Sequence, residues 1–211
     1  MNFYVKAILL TIFFMAAGLF IVYQLDLVSI GKIRTQLDDL SIELETSKLM
    51  FLYSQSLDDQ NVYCSVLERQ IDTQAGKLMP LLSSLGITQR EIFLGNLDQV
   101  KKRYFLANAE LYYYLRESNK TCSKDVALIL YFYTDQTRCA DCEVQGEILD
   151  RVRTHCSNAK IFAFPIDFKL EMVNLYLSLF DVSSAPAIVI DEKETLTGLQ
   201  TYESIVEKIH C

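Results

Sequence analysis

A pair of cysteines, Cys139-Ala-Asp-Cys142, lies between an apolar run typical of a buried strand and a segment with helical periodicity. The apolar run is Val126–Thr134, and the helical segment is Glu143–Cys156. This position places the first sulfur among the free N–H groups at the start of a helix, where the helix dipole favours a thiolate. Two intervening residues let the second sulfur close a small ring with the first. Spacing and position together predict a redox-active cysteine pair.

The C-terminal part of the chain alternates between strand and helix patterns. Strands are predicted at Val126–Thr134, Lys160–Ile166, Ala187–Ile190 and Thr195–Leu199, and helices at Asp141–Cys156, Leu170–Phe180 and Tyr202–Ile209. The order is βαβαββα, which predicts a mixed sheet with helices on both of its faces. The fold class of this part is therefore α/β.

An uncharged stretch, Ala7–Leu25, lies near the start of the chain. As a helix it would span roughly 28 Å, about the thickness of the hydrocarbon core of a membrane. A cleaved signal peptide is the alternative, but the hydrophobic stretch is long for one and no small-x-small cleavage site follows it. The sequence therefore predicts an N-terminal transmembrane helix, an uncleaved anchor within residues 1–30.

Charge and cysteine content bear on the partners and the compartment. The net charge of −7 belongs to residues 31–211, because Lys6 and Asp26 cancel in the first thirty residues. An acidic chain without a basic patch argues against a nucleic-acid partner. Six cysteines favour an oxidising compartment, and Asn119-Lys120-Thr121 matches a glycosylation acceptor. We expect a single-pass membrane protein with its soluble part extracytoplasmic (periplasmic, extracellular or lumenal), although the flanking positive charges leave the orientation open.

Residues 31–120 have the periodicity of an all-α region with three helices. The first stripe consists of Ile30, Ile33, Leu37, Leu40 and Leu44. A second helix is predicted to open at Ser56 with Asp59 as a capping-box variant, and Gly76, Pro80 and Gly86 then break the pattern. The capping box Thr88-Gln-Arg-Glu91 predicts a third helix that ends near Ser118. Such stripes predict a small helical bundle, and a dimerising coiled coil, which would make a homodimer through this region, remains the alternative.

The segment from Val126 to Cys211 resembles the thioredoxin superfamily. The cysteine pair follows the leading strand, and Ser184-Ala185-Pro186-Ala187 before the next strand is similar to the family's cis-proline segment. The forty-four residues from Cys142 to Pro186 are close to the family's usual separation. The resemblance implies a thioredoxin-like domain over residues 121–211. The helix predicted over Thr88–Glu117 is a candidate for the leading helix of full thioredoxins.

The resemblance also implies roles for individual residues. Cys139 is implied to be the nucleophile that forms the mixed disulfide, and Cys142 the buried resolving thiol. A cis bond at Pro186 would present the Ala185 backbone to an extended substrate segment. Arg138 stands where the family often has Trp, and a cation there favours the Cys139 thiolate. We therefore take Ala185, Pro186 and Arg138 as predicted substrate-binding residues, and no cofactor is expected.

The chain departs from the family's pattern beside the cysteines. Tyr133 occupies the strand position where many thioredoxins bury a carboxylate that assists proton transfer. Asp135 or Glu143 could substitute for that carboxylate, and Asp141, between the two sulfurs, opposes the effect of Arg138 on the thiolate. These departures leave the direction of electron flow open.

The predicted topology carries Cys122, Cys156 and Cys211 to the end of the sheet opposite the cysteine pair. A disulfide between Cys156 and Cys211 is the first choice, because both flanking helices should cover the same face of the sheet. Cys64 and Cys122 would then tie the helical region to the thioredoxin-like domain. Other pairings, and free half-buried thiols, remain alternatives.

A zinc site built from Cys139, Cys142, His155 and Cys156 fails on distance, because a helix from Cys142 to His155 separates its ends by about 20 Å. The leading prediction is a membrane-tethered thiol–disulfide oxidoreductase that exchanges disulfides with protein cysteines and is reset by a membrane redox partner. The alternative is a redox-inert thioredoxin-like scaffold whose helical region binds a membrane-side partner.

Overall fold

The computed structural model describes residues 10–20, 35, 38–39, 42, 45–46, 48–56, 59–89, 97–134 and 139–211. Two long helices precede a four-stranded sheet, and shorter helices alternate with its strands. The elements are α1 (Gln60–Gln89), α2 (Leu97–Thr121), β1 (Ala127–Tyr133), α3 (Ala140–His155), β2 (Ala159–Pro165), α4 (Glu171–Leu179), β3 (Ala187–Ile190), β4 (Glu194–Thr197) and α5 (Tyr202–Lys208).

The strand β1 lies inside the sheet, whose order is β2-β1-β3-β4. It pairs parallel with β2 and antiparallel with β3, and β3 pairs antiparallel with β4. Its sequence, Ala-Leu-Ile-Leu-Tyr-Phe-Tyr, is apolar or aromatic throughout, as a strand covered on both faces requires. From β1 onward the element order is the βαβαββα order read from the sequence, and each element boundary lies within two residues of its predicted position.

Alternate residues of β1 enter two different hydrophobic cores, because successive side chains of a strand point to opposite faces. Leu128, Leu130 and Phe132 pack in a core shared with α1, α2 and α4. Ile129 and Tyr131 pack in a second core with α3 and α5. The sheet is therefore covered on both faces, and α3, which carries the cysteine pair, lies on the second face.

The helix α2 covers the first face of the sheet. The ring of Tyr112 lies 5.4 Å from that of Phe162 in β2 and 5.8 Å from that of Tyr176 in α4, both edge to face. Tyr112 itself is 2 % exposed. The predicted division at residues 120 and 121 falls within the last turn of α2, a helix that shares one core with the sheet.

The helix α1 begins later than the sequence pattern predicts. Asp59 caps it, because its Oδ1 accepts hydrogen bonds from the backbone N–H groups of Asn61 at 2.9 Å and Val62 at 3.3 Å. Ser56, the predicted start, instead donates its hydroxyl to the Tyr53 carbonyl at 2.6 Å. A carboxylate that accepts two N–H groups fixes the start of the helix at Gln60.

The same helix continues through the predicted breaks. Gly76, Pro80 and Gly86 lie within α1, and Thr88 belongs to its last turn rather than opening the next helix. The predicted break and the capping box at Thr88 are therefore wrong, and α2 begins at Leu97. Buried apolar side chains hold α1 in the core as far as Leu78, and tertiary packing outweighs local signals in long helices. They include Leu67, Ile71 and Leu78.

The predicted membrane anchor is also wrong. Within Ala7–Leu25 the structure describes residues 10–20, which are helical. In the described parts of the chain, every helix is too short or too polar to cross a membrane. The predicted fold class is therefore corrected by removing its N-terminal transmembrane helix. The predicted single-pass topology and extracytoplasmic placement depended on that helix and are corrected with it, whereas the redox partner stays a prediction.

Residues 48–55 form a helical segment that packs on the two long helices. The ring of Phe51 lies 5.7 Å from that of Tyr63 in α1 and 5.3 Å from that of Tyr114 in α2. The stripe from Ile30 to Leu44 lies outside the described residues. The coiled coil and the homodimer that this stripe indicates therefore stay predictions.

Candidate functional site

Cys139 lies at the N-cap of α3, directly before the first helical residue. Its backbone is extended, with φ −145° and ψ 89°. Its Sγ accepts a hydrogen bond from the Cys142 N–H at 3.1 Å, and its carbonyl oxygen lies 3.2 Å from the same nitrogen. The first sulfur thus accepts an N–H group of the first turn of the helix, the position that favours a thiolate. The preceding residues 135–138, which include Asp135 and Arg138, lie outside the described part of the chain.

Cys139 and Cys142 form a disulfide whose Cα atoms are 5.3 Å apart. The two residues differ in exposure: Cys139 is half-buried, whereas Cys142 is 3 % exposed. A thiol or disulfide from another molecule can therefore approach Cys139 and is kept from Cys142. The structure thus joins the two predicted catalytic cysteines to each other, and their catalytic roles stay predictions.

Tyr131 supports the first turn of α3 from the central strand. Its hydroxyl donates a hydrogen bond of 2.6 Å to the Cys142 carbonyl oxygen, and its ring stacks on that of Tyr133 with centroids 5.6 Å apart. Burial raises the pKa of Tyr131, and the neighbouring Tyr133 adds to the effect. The sequence analysis did not single out Tyr131. Its place in an alternating strand, two residues before Tyr133 on the same face, was the available signal.

Tyr133, at the end of β1, is the residue for which the resemblance implied a buried carboxylate. Burial, followed by the charge of Asp167, raises the pKa of Tyr133 to about 12. Its hydroxyl therefore stays protonated at neutral pH and is not a base. Glu143, the described candidate to replace the carboxylate, is exposed, as is Asp141.

Pro186 lies at the same edge of the sheet as the cysteine pair. Ala187 pairs with Phe132, so Pro186 lies beside the end of β1, from which the chain continues to Cys139. The Ala185–Pro186 peptide bond is cis, Pro186 is buried, and Ala185 is half-buried. The Gly198 N–H donates to the Pro186 carbonyl at 2.8 Å. This hydrogen bond holds the proline segment against the end of β4.

Gln145 connects α3 to the segment after β4. Its side chain is 0 % exposed, and its Oε1 accepts a hydrogen bond from the Gln200 N–H at 2.7 Å. The sequence analysis missed this residue. The buried residues of α3 are Cys142, Gln145, Leu149 and Val152. A polar residue within this helical stripe, three positions after a cysteine, is the signal that could have identified it.

The remaining four cysteines form two disulfides away from this edge. Cys156 is bonded to Cys211, and Cys64 to Cys122. Cys156 ends α3 and Cys122 follows α2 just before β1, so both lie toward the opposite edge of the sheet. These are the pairings preferred in the sequence analysis. They tie α3 to the C-terminus and α1 to the end of α2.

The residues considered for zinc are separated in the structure. Cys139 and Cys142 lie at the start of α3, whereas His155 and Cys156 lie at its end. Among the residues that the structure describes, no three His, Cys, Asp or Glu side chains lie together in a way that could hold a metal ion.

Neither the protein-family models nor the curated proteins include a match to this chain. The functional assignment therefore rests on the cysteine pair and on the groups that surround it. These are Tyr131 and Tyr133 in β1, Pro186 before β3, and Gln145 in α3.

Proposed function

We propose that this chain is a thiol–disulfide oxidoreductase of the thioredoxin-like type that exchanges disulfides with protein cysteines. The proposal rests on the difference in solvent exposure between its two cysteines. Cys139 is half-buried at a helix N-cap, whereas Cys142 is 3 % exposed behind it. A disulfide that only stabilises the fold does not require an accessible sulfur at a position that favours a thiolate.

The reductive direction begins with the reduced pair. The Cys139 thiolate attacks one sulfur of a substrate disulfide, a new S–S bond forms, and the other substrate sulfur leaves as a thiolate. Cys142, as a thiolate, then attacks Cys139 Sγ and releases the second substrate sulfur. Two electrons pass from the cysteine pair to the substrate, and the two protons of the pair end on the two substrate thiols.

The oxidative direction begins with the Cys139–Cys142 disulfide. A substrate thiolate attacks Cys139 Sγ, the more accessible sulfur, and Cys142 leaves as a thiolate. A second substrate thiolate then attacks the substrate sulfur of the mixed disulfide, Cys139 leaves as a thiolate, and the substrate is released with a new disulfide. The reduction potential of the pair, measured against that of its partners, decides which direction runs.

The proline segment supplies the docking surface in this proposal. Ala185 is half-buried and lies at the same edge of the sheet as Cys139. Its backbone groups bind an extended substrate segment, so that a substrate sulfur lies next to Cys139 Sγ. Arg138, immediately before Cys139 in the chain, completes the substrate-binding set.

A trapping experiment on the full chain tests the proposal. In the Cys142→Ser variant, the mixed disulfide with Cys139 cannot be resolved, so we expect adducts with protein thiols that a reducing agent releases. The Cys139→Ser, Cys142→Ser double variant is the control for adducts formed elsewhere. The Cys156→Ala, Cys211→Ala variant is the matched control for losing a disulfide, and it should retain exchange with a model protein disulfide.

The measured potential then assigns the direction. A reduction potential of about −270 mV indicates a reductase, and a potential of about −120 mV indicates an oxidase. If Cys142→Ser forms no releasable adducts and the wild-type pair neither reduces nor oxidises a model disulfide, the proposal fails. The scaffold alternative would then be favoured.

A further inference from the structure

Gln145 places an amide on the buried face of the helix that carries the cysteine pair. The side chain is 0 % exposed, between Cys142 and Leu149 on the same stripe. Burial of an amide in such surroundings costs free energy unless its donor and acceptor are both hydrogen-bonded. Both the oxygen and the nitrogen of the Gln145 amide are therefore expected to have hydrogen-bond partners.

The oxygen end of the amide is satisfied and fixes its orientation. Gln145 Oε1 accepts the Gln200 N–H at 2.7 Å, and a backbone N–H can only donate, so the amide cannot be reversed. The nitrogen end differs: Nε2 is buried, and no acceptor reaches it among the residues that the structure describes. Native proteins seldom leave a buried donor unpaired, and such groups often have a functional role.

Gln145 follows Cys142 by three positions on the buried stripe of α3. Residues three positions apart on a helix are neighbours, with Cβ atoms about 5–6 Å apart, and helical side chains lean toward the N-terminus of the helix. Gln200 lies just beyond β4, whose Thr197 pairs with Ala187 at the edge of the sheet where the cysteine pair lies. The hydrogen bond to Gln200 thus holds the Gln145 amide at this edge.

We propose that Gln145 Nε2–H donates a hydrogen bond to Cys142 Sγ when the pair is reduced and stabilises the Cys142 thiolate. In the disulfide, Sγ is a weak acceptor, and the donor has no acceptor in the described residues. In the reduced pair the thiolate is a strong acceptor. The amide gives up no proton, because the proton of Cys142 leaves with the substrate thiolate. This inference rests on the proposed exchange reaction. In its resolving step Gln145 would stabilise the Cys142 thiolate, whereas Tyr133 is not a base and cannot take the proton of Cys142.

Other titratable groups near Cys142 act differently. From β1, the Tyr131 hydroxyl donates to the Cys142 carbonyl, and Tyr133 stacks on the Tyr131 ring. On α3 itself, Asp141 and Glu143 are exposed to solvent. From α5, Tyr202 contacts Arg151 and His155, at the far end of α3.

The test measures the ionisation of Cys142 in the full chain with Cys139→Ser, where Cys142 is the one cysteine outside the Cys64–Cys122 and Cys156–Cys211 disulfides. The ¹³Cβ shift of Cys142, followed by NMR against pH, gives its ionisation midpoint. We expect Gln145→Met to raise this midpoint by about one pH unit, the size of one hydrogen bond to a charged group. Gln74 of α1, which is 2 % exposed, supplies the matched control, Gln74→Met, which should leave the midpoint unchanged.

The Gln145→Glu variant separates the donor from the link to Gln200. It retains an oxygen for the Gln200 N–H and removes the N–H donor, so the midpoint should rise at least as much as in Gln145→Met. A midpoint that stays at the wild-type value in Gln145→Glu and rises in Gln145→Met would assign the effect to the link and overturn the inference. An unchanged midpoint in both variants would overturn it as well.

A measurement on the wild-type chain covers the case in which the variants do not fold. The side-chain NH₂ resonances of Gln145 should shift downfield when the cysteine pair is reduced and should titrate with Cys142. Resonances that respond neither to reduction nor to pH contradict the inference. None of these measurements requires a substrate, so failure of the exchange assay and failure of the Gln145 inference are separate results.

Discussion

The hydroxyl of Tyr131 donates a hydrogen bond of 2.6 Å to the carbonyl oxygen of Cys142, joining the central strand to the first turn of the cysteine-bearing helix. Both residues are buried, at 6 % and 3 % exposure. Because the bond ends on the backbone rather than on the sulfur, it can hold the helix start in place in both the oxidised and the reduced pair.

Removal of this bond should destabilise the protein without abolishing exchange. We expect Tyr131→Phe to lower the free energy of unfolding by about 1 kcal/mol, the net value of one buried hydrogen bond, as measured by chemical denaturation. Tyr113→Phe, at an exposed position of α2, changes the same group elsewhere and should have little effect. Equal stability of Tyr131→Phe and wild type would show that the bond contributes nothing net.

The Cys156–Cys211 disulfide should contribute to stability and not to chemistry. It links residues 55 positions apart, and a crosslink over a loop of that size stabilises by about 4 kcal/mol in the chain-entropy model. We expect Cys156→Ala with Cys211→Ala to lose about this much in denaturant unfolding while disulfide exchange continues. Loss of exchange in the folded double variant would contradict the separation of this bond from the site.

The Cys64–Cys122 disulfide should control the attachment of α1 to α2. Both residues are half-buried, and the bond closes 58 positions of chain. We expect Cys64→Ala with Cys122→Ala to increase amide hydrogen exchange in α1 more than in β1, because β1 is held by its strand pairing and α1 packs mainly on α2. Uniform loss of protection across both elements would show that the bond stabilises the whole chain equally.

The buried tyrosines should make the protein unstable in alkali. Tyrosine in an unfolded chain titrates near pH 10, whereas burial raises the pKa of Tyr133 to about 12. Between these values the unfolded chain has released protons that the folded chain retains, so the free energy of unfolding falls as the pH rises from about 10 to 12. Burial raises the pKa of Tyr104 and Tyr176 as well, which adds to the effect.

Denaturant unfolding at a series of pH values measures this dependence, with tyrosinate absorbance recorded in parallel. Tyr133→Phe should reduce the loss of stability in this window, since one raised group is removed. Stability that stays constant from pH 9 to 12 would contradict the prediction.

The sequence predicted the sheet well because β1 and α3 carry strong local patterns. A continuous apolar run from Ala127 to Tyr133 can only be covered on both faces, and the cysteine pair marks the start of the next helix. The N-terminal half was harder to predict. Gly76 and Pro80 are locally unfavourable in a helix, yet α1 includes them, and buried residues on both sides of Gly76 hold the helix in the core.

The membrane anchor shows a different limit of sequence patterns. Ala7–Leu25 is uncharged and long enough to span a membrane only as one continuous helix, and composition alone cannot establish that continuity. In the described part of the chain the requirement of a long apolar helix is not met.

The sequence by itself determined where the cysteine pair lies in the element order, because strand and helix periodicities and the position of Pro186 are local properties of the chain. Tertiary structure decided which sulfur is accessible and what surrounds the other one. The contacts of Cys142 with Tyr131, and of Gln145 with Gln200, join residues 11 and 55 positions apart. Such contacts depend on how α3 packs on the sheet, and no local pattern encodes that packing.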